Sequence, residues 1–116
     1  MLFLVCGDRN WIDYRPIRRE LSKYNHQTDT IMHGDARGAD RISGQIAAAL
    51  GFQVRSFPAN WNRFGKAAGV IRNQQMLDEG PDLVLAFHPN IEQSKGTGHM
   101  VRIARLKGVR VEVFNE

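Results

Sequence analysis

Two segments of the chain, "LFLVC" (2–6) and "DLVLAF" (82–87), are almost unbroken apolar runs. A strand with one face in water alternates apolar and polar residues, whereas a strand covered on both faces reads as a continuous apolar run. Two such runs far apart in sequence demand a sheet with a layer on each side. The intervening segments can supply those layers. "WIDYRPIRRELSKY" (11–24) spaces Trp11, Ile12, Tyr14, Ile17, Leu21 and Tyr24 mainly three or four apart, which predicts a helix with Pro16 as its weak point. "ADRISGQIAAAL" (39–50) predicts a second helix, closed by Gly51, and "KAAGVIRNQQMLDE" (66–79) and "GTGHMVRIARLK" (96–107) predict two more. "DTIMH" (29–33), "FQVRSF" (52–57) and "VRVEVF" (109–114) complete the strands, the last two alternating as strands nearer an edge do.

Strands alternating with helices imply parallel βαβ units with right-handed crossovers. The two apolar strands belong side by side in the middle. The expectation is an α/β, Rossmann-like three-layer sandwich of five parallel strands in the order 3-2-1-4-5, formed by residues 1–116 as one domain.

Composition narrows the function classes. No apolar stretch is long enough to span a bilayer, and "MLFLVC" lacks the basic start of a secretory leader. The lone Cys6 forms no internal disulfide, which points to a reducing, cytoplasmic setting. The net charge of +4 favours anionic partners, but the basic residues are scattered and no polybasic run occurs. The four histidines show no metal-ligand spacing. No metal site is expected, although magnesium accompanying a phosphate stays open, as does homo-oligomerisation.

In doubly wound sheets ligands bind at the carboxyl ends of the strands, around the point where strand order reverses. The unusual residues of this chain gather in those loops. "GDRNW" (7–11) follows the first strand and "GDARGAD" (34–40) the second; "PANWNRFGKAAG" (58–69) follows the third and "HPNIEQSKGTG" (88–98) the fourth. The opposite loops, "NHQT", "GF", "EGP" and "KGV", are short. Candidate ligand-binding residues are therefore Gly7, Asp8, Arg9, Gly34, Asp35, Arg37, Gly38, Asp40, Trp61, Lys66, Ser94, Lys95, Gly96 and Thr97. Gly34 and Gly38 allow a phosphate or ribose to approach the backbone closely, and "SKGTG" opens a helix whose free N–H groups suit an anion. Each loop also has a plain structural reading: Asp35 as a helix cap, and Ser94 or Thr97 as an N-cap with glycines for the turn. Neither a Walker loop nor a G-x-G-x-x-G after the first strand is present, which argues against a standard NTPase or dehydrogenase.

Four ordered motifs, "GDR-x-W", "HGDARGAD", "FPANWNRFGKAAGVIRNQQM" and "SKGTGHMV", resemble the YspA/YpsA-related branch of the SLOG superfamily over roughly residues 3–114. The resemblance implies a Rossmannoid domain that binds a nucleotide or a nucleotide-derived signal such as ADP-ribose. Members are common in bacteria and their phages. The superfamily also holds the LOG phosphoribohydrolases, which release a base from a nucleoside monophosphate, and the DNA-processing protein DprA. Set against the LOG motifs, "RNQQM" puts Arg72 at the catalytic arginine and Asn73 at the following lysine. "SKGTGHM" puts Gly96 and Thr97 at the phosphate-binding Gly-Thr, and Met100 where the catalytic glutamate stands. Cleavage through an oxocarbenium-like transition state calls for a carboxylate. Asp8, Asp35 and Asp40 are the substitutes at the same rim, and His99 is a candidate base.

Trp11 and Trp61 follow strand ends, where a base can stack on an indole; packing against the first helix and the sheet edge are the plain alternatives. Cys6 and His33 read as packed residues rather than reactive ones. Three functions from different classes remain: binding a nucleotide-derived ligand without turnover, hydrolysing it as an N-glycosidase or phosphoribohydrolase does, and binding single-stranded nucleic acid. Met100 at the glutamate position favours the first. A strand binder calls for a continuous basic groove with interleaved aromatics, which this chain does not display.

Overall fold

The computed structural model describes residues 1–116. Five parallel strands, β1 (Leu2–Gly7), β2 (Thr30–His33), β3 (Gln53–Ser56), β4 (Leu83–Phe87) and β5 (Arg110–Phe114), form one sheet in the order β3-β2-β1-β4-β5. β1 and β4 are neighbours, with Val5 opposite Leu85 and Gly7 opposite Phe87. The expected topology is the observed one.

Alternation along the strands divides the core in two. Phe3 and Val5 of β1 point to one side with Ile31, Leu85 and Phe87, where α1 (Tyr14–Leu21) and α2 (Ala39–Leu50) cover them with Ile17, Leu21 and Ile46. Leu4 and Cys6 point to the other side with Met32, Val84 and Ala86. There α4 (Ala68–Asp78) and α5 (Gly96–Leu106) add Met76, Leu77, Met100 and Val101. Both faces of β1 and β4 are thus dry, which is why these segments carry no polar alternation. β3 is exposed along its whole length, as an edge strand is.

Three local differences from the sequence expectation have physical causes. α1 begins at Tyr14, not Trp11, because Asp13 caps it by accepting the N–H of Arg15. Pro16 then falls in the first turn, where its missing N–H breaks no helical hydrogen bond. Trp11 stays ahead of the helix and is buried, edge-on to Phe87, its indole N–H donating to the Asp13 carbonyl. The helix expected over 66–79 is α4, which starts later, at Ala68: Lys66 and Ala67 belong to a 3-10 turn (Gly65–Ala67) that separates it from a short helix, α3 (Trp61–Phe64). Gly65, at φ +56°, marks the break.

Candidate functional site

The loops after β1, β2 and β4 converge where strand order reverses, and between them lies a cleft of about 660 Å³. Its size is that of a small-molecule site, but its lining is strongly polar. One wall is the β1–α1 loop. Asp8 organises that loop: its carboxylate accepts the N–H of Asn10, and its carbonyl accepts those of Trp11 and Ala39. The last contact fastens the loop to the start of α2.

The floor holds two charged side chains of opposite sign, Asp40 and Arg72. Asp40 sits in the first turn of α2 and is 5 % exposed. Its Oδ2 accepts the N–H of Gly34 at 3.1 Å and that of Ala36 at 3.3 Å, which folds the "GDARGAD" turn around the carboxylate. Oδ1 has no hydrogen bond; as every fully buried side-chain N or O atom is partnered, this oxygen faces the cleft. Burial pushes the carboxyl up to about 6, against the pull of the Arg72 guanidinium and the two amides. Cys6 lines the floor as well, and burial, reinforced by the charge of Asp40, raises its thiol far above the ordinary range.

Arg72 is held from two sides. Its Nη1 donates to the carbonyl of Gly34, and its Nε donates to Asn73 Oδ1 at 3.0 Å. Gly34 has to be glycine for this: a Cβ there would lie 2.5 Å from Nη1. Asn73, itself buried, passes the connection on. Its Nδ2 reaches the Gly96 carbonyl at 3.3 Å and His99 Nδ1 at 3.1 Å. A chain of contacts therefore runs from the β2–α2 turn through α4 to the first turn of α5.

That first turn forms the opposite wall, with Ser94, Lys95, Gly96 and Thr97. Ser94 Oγ accepts the N–H groups of Thr97 and Gly98, so two of the amides at the helix start are already engaged. The N–H groups of Lys95 and Gly96 make no turn or cap hydrogen bond and stay available to an anion. Arg9 adds a guanidinium at the rim, and His88 an imidazole whose Nδ1 accepts the N–H of Asn90.

Of the residues singled out from sequence, Gly7, Asp8, Arg9, Asp40, Arg72, Asn73, Ser94, Lys95, Gly96 and Thr97 line this cleft. The others do not. Gly34 stands behind Arg72, and Asp35 turns outward to an ion pair with Arg41 at 3.4 Å. Gly38, at φ +82°, packs its Cα against the Asp8 carbonyl, where a Cβ would approach to 2.4 Å; its glycine is required by backbone-to-backbone packing. Arg37 and Gly38 line an adjoining groove between the β1–α1 loop and the start of α2. Trp61 and Lys66 lie on α3 and the 3-10 turn, outside the cleft, with Trp61 60 % exposed. His99 touches the site only through Asn73, and burial, with Arg102 nearby, lowers its pKa. Met100 is buried on the α4–α5 side of the core and reaches the cleft as an apolar surface. The cleft also includes Asn10, His88 and Gln93, which no motif set apart. The signal for these was loop position alone: all three lie in the long loops at the strand ends.

No group of three or more His, Cys, Asp or Glu side chains is arranged to hold a metal ion, and no helix is long and apolar enough to cross a membrane.

The model of the YspA, cpYpsA-related SLOG family matches residues 1–64, more than half of the chain. The chain belongs to this family. The matched part runs from β1 through α3 and includes the Asp8 loop and the Asp40 turn. Similarity to the Gene 61 protein of Mycobacterium phage D29 extends further: the two are 36 % identical over 121 residues, covering 97 % of this chain and 95 % of the phage protein. That similarity spans the part of the chain that carries Arg72 and the α5 turn. No solved structure matches the chain.

Proposed function

We propose that the switch-point cleft binds a nucleotide or nucleotide-derived ligand, with a phosphate received between Arg72, Lys95 and the free N–H groups at the start of α5. The observation that carries this reading is the fixing of Arg72. A guanidinium tied to the Gly34 carbonyl and to Asn73 is oriented before any ligand arrives, so little side-chain entropy is lost on binding. Membership of a SLOG family supports the same ligand class. Asp40 Oδ1 offers an acceptor suited to a ribose hydroxyl, and Cys6, Met76 and Met100 supply the apolar part of the lining.

A second reading, hydrolysis of the N-glycosidic bond, draws on Asp40. A carboxyl titrating near 6 is evenly divided between its two forms near pH 6 and still partly protonated at neutral pH, which suits general acid–base work. It stands at the cleft floor, while Met100 occupies the glutamate position of the LOG motif. Incubating the protein with nucleoside phosphates and ADP-ribose, then identifying bound and released species by mass spectrometry, tests both readings. Intact ligand retained by the protein supports binding. Free base and ribose phosphate support hydrolysis. Retention of none of them overturns the proposal.

A further inference from the structure

The cleft does not end at Arg9. A second groove of about 360 Å³ lies between the β1–α1 loop and the start of α2 and shares Arg9 and Asn10 with the cleft. We propose that this groove is a second anion subsite, and that the ligand is a phosphate-linked dinucleotide whose second half lies across Arg9 toward Arg37 and Arg41. This rests on the nucleotide reading of the cleft.

Charge is the first support. The groove presents three guanidiniums, those of Arg9, Arg37 and Arg41. Only Arg41 has a carboxylate partner, Asp35, and that contact is solvent-exposed and long at 3.4 Å. Arg37 donates through Nε to the Arg9 carbonyl and through Nη2 to Asn10 Oδ1, both at 3.3 Å. Neither acceptor is charged, so the guanidinium is positioned over the shared residues with its positive charge uncompensated. Like charges gathered without counter-charge are unfavourable, and an anion relieves them.

Shape and apolar surface are the second support. Ile12, 88 % exposed, stands at the lip of the groove. An apolar side chain next to paired guanidiniums matches a nucleotide half, which offers both a base face and a phosphate. The groove runs out on α2 at Gln45, and the remainder of that helix, IAAAL, carries no basic residue. A single additional nucleotide fits that length of charged surface better than a nucleic-acid strand.

Titration calorimetry with the four nucleoside 5′-monophosphates and the corresponding 5′-phosphorylated homodinucleotides tests the assignment. The best dinucleotide is expected to bind at least tenfold more tightly than its mononucleotide. Arg41→Gln and Arg37→Gln are each expected to remove most of that advantage while leaving mononucleotide affinity unchanged. Arg41 makes only the exposed pair with Asp35, so its variant keeps the loops intact should Arg37→Gln disturb them. Equal affinity for both ligands, or an equal loss for both in the Arg41 variant, overturns the second subsite while leaving the cleft reading standing. Affinity that keeps rising with longer oligonucleotides overturns it in favour of a strand. Binding of neither ligand type overturns the cleft reading and the subsite with it.

Discussion

The guanidinium of Arg72 donates a hydrogen bond to the carbonyl of Gly34, 38 positions earlier in the chain. The close approach depends on the absence of a side chain at Gly34, where a Cβ would fall 2.5 Å from Nη1 and 2.7 Å from Cζ. Gly34→Ala therefore tests the orientation of Arg72 without touching Arg72 itself. The obstructed atoms are the far end of a flexible side chain, which can swing aside at modest cost. Nucleotide affinity should fall about tenfold, roughly 1.4 kcal/mol, while the thermal midpoint moves little. Parental affinity in the variant would show that the fixed orientation is irrelevant to binding.

Arg72 can be probed directly as well. Arg72→Lys keeps the charge and loses the planar fork; Arg72→Ala loses both. Weaker nucleotide binding is expected for both, by at least about 1.5 kcal/mol for the alanine variant, the low end for a charge-assisted hydrogen bond. Calorimetry beside a thermal melt separates lost affinity from lost fold. Unchanged affinity in the alanine variant would remove Arg72 from the site.

Asp40 gives a pH signature. Its carboxyl is raised from 3.8 to about 6 by burial, so the folded state holds a proton that the unfolded chain has already released. The favourable contribution is present below the unfolded value and is lost as pH climbs through about 4 to 6. A shift of about two units corresponds to roughly 3 kcal/mol. Asp40→Asn keeps an acceptor for the Gly34 and Ala36 amides and abolishes the titration. The stability of Asp40→Asn relative to wild type should rise by roughly 2 kcal/mol between pH 4 and pH 7, measured by urea unfolding across that range. A difference that stays flat would mean that Asp40 titrates as an ordinary carboxylate.

Gly38 belongs to the scaffold. At φ +82° any side chain is strained, and the atoms in its way are the backbone of Asp8 and Arg9, which cannot swing aside. Gly38→Ala should cost at least about 1–3 kcal/mol from backbone strain alone, read as a lower urea midpoint. A midpoint equal to wild type would show that the Asp8 loop yields easily.

Cys6 should be inert in the folded protein despite lining the cleft. Burial holds its thiol in the protonated form, and the thiolate is the reactive species. Iodoacetamide at pH 8 is expected to label it only in denaturant. Rapid labelling of the native protein would mean that the floor of the cleft opens to water.

The topology was legible because it rests on the strongest signal a sequence carries, a face that must be dry. Phe3, Leu4, Val5 and Cys6 point alternately to opposite faces, and both sets are buried, so the run could not be a one-sided strand. Loop residues gave less. Gly34 and Gly38 look alike on paper, both in a strand-to-helix turn, yet one clears space for Arg72 and the other for the Asp8 backbone. Only the packing of distant segments distinguishes them. Trp61 follows a strand end as Trp11 does, but Asn60 caps a separate short helix and carries Trp61 away from the switch point. Asp40 was readable as a carboxylate at the rim. Its free Oδ1 and its engaged Oδ2 depend on where the turn places two amides, which residue type alone does not specify.

The open rims of the sheet bear on how this molecule behaves in a crowd. β3 presents Arg55 in its middle, and β5 presents Arg110 and Glu112. An unpaired strand edge is a template on which another chain can deposit itself, and a strand laid alongside would strip water from these charges. Both rims thereby carry charge at the positions where a fibrous partner strand would have to stack.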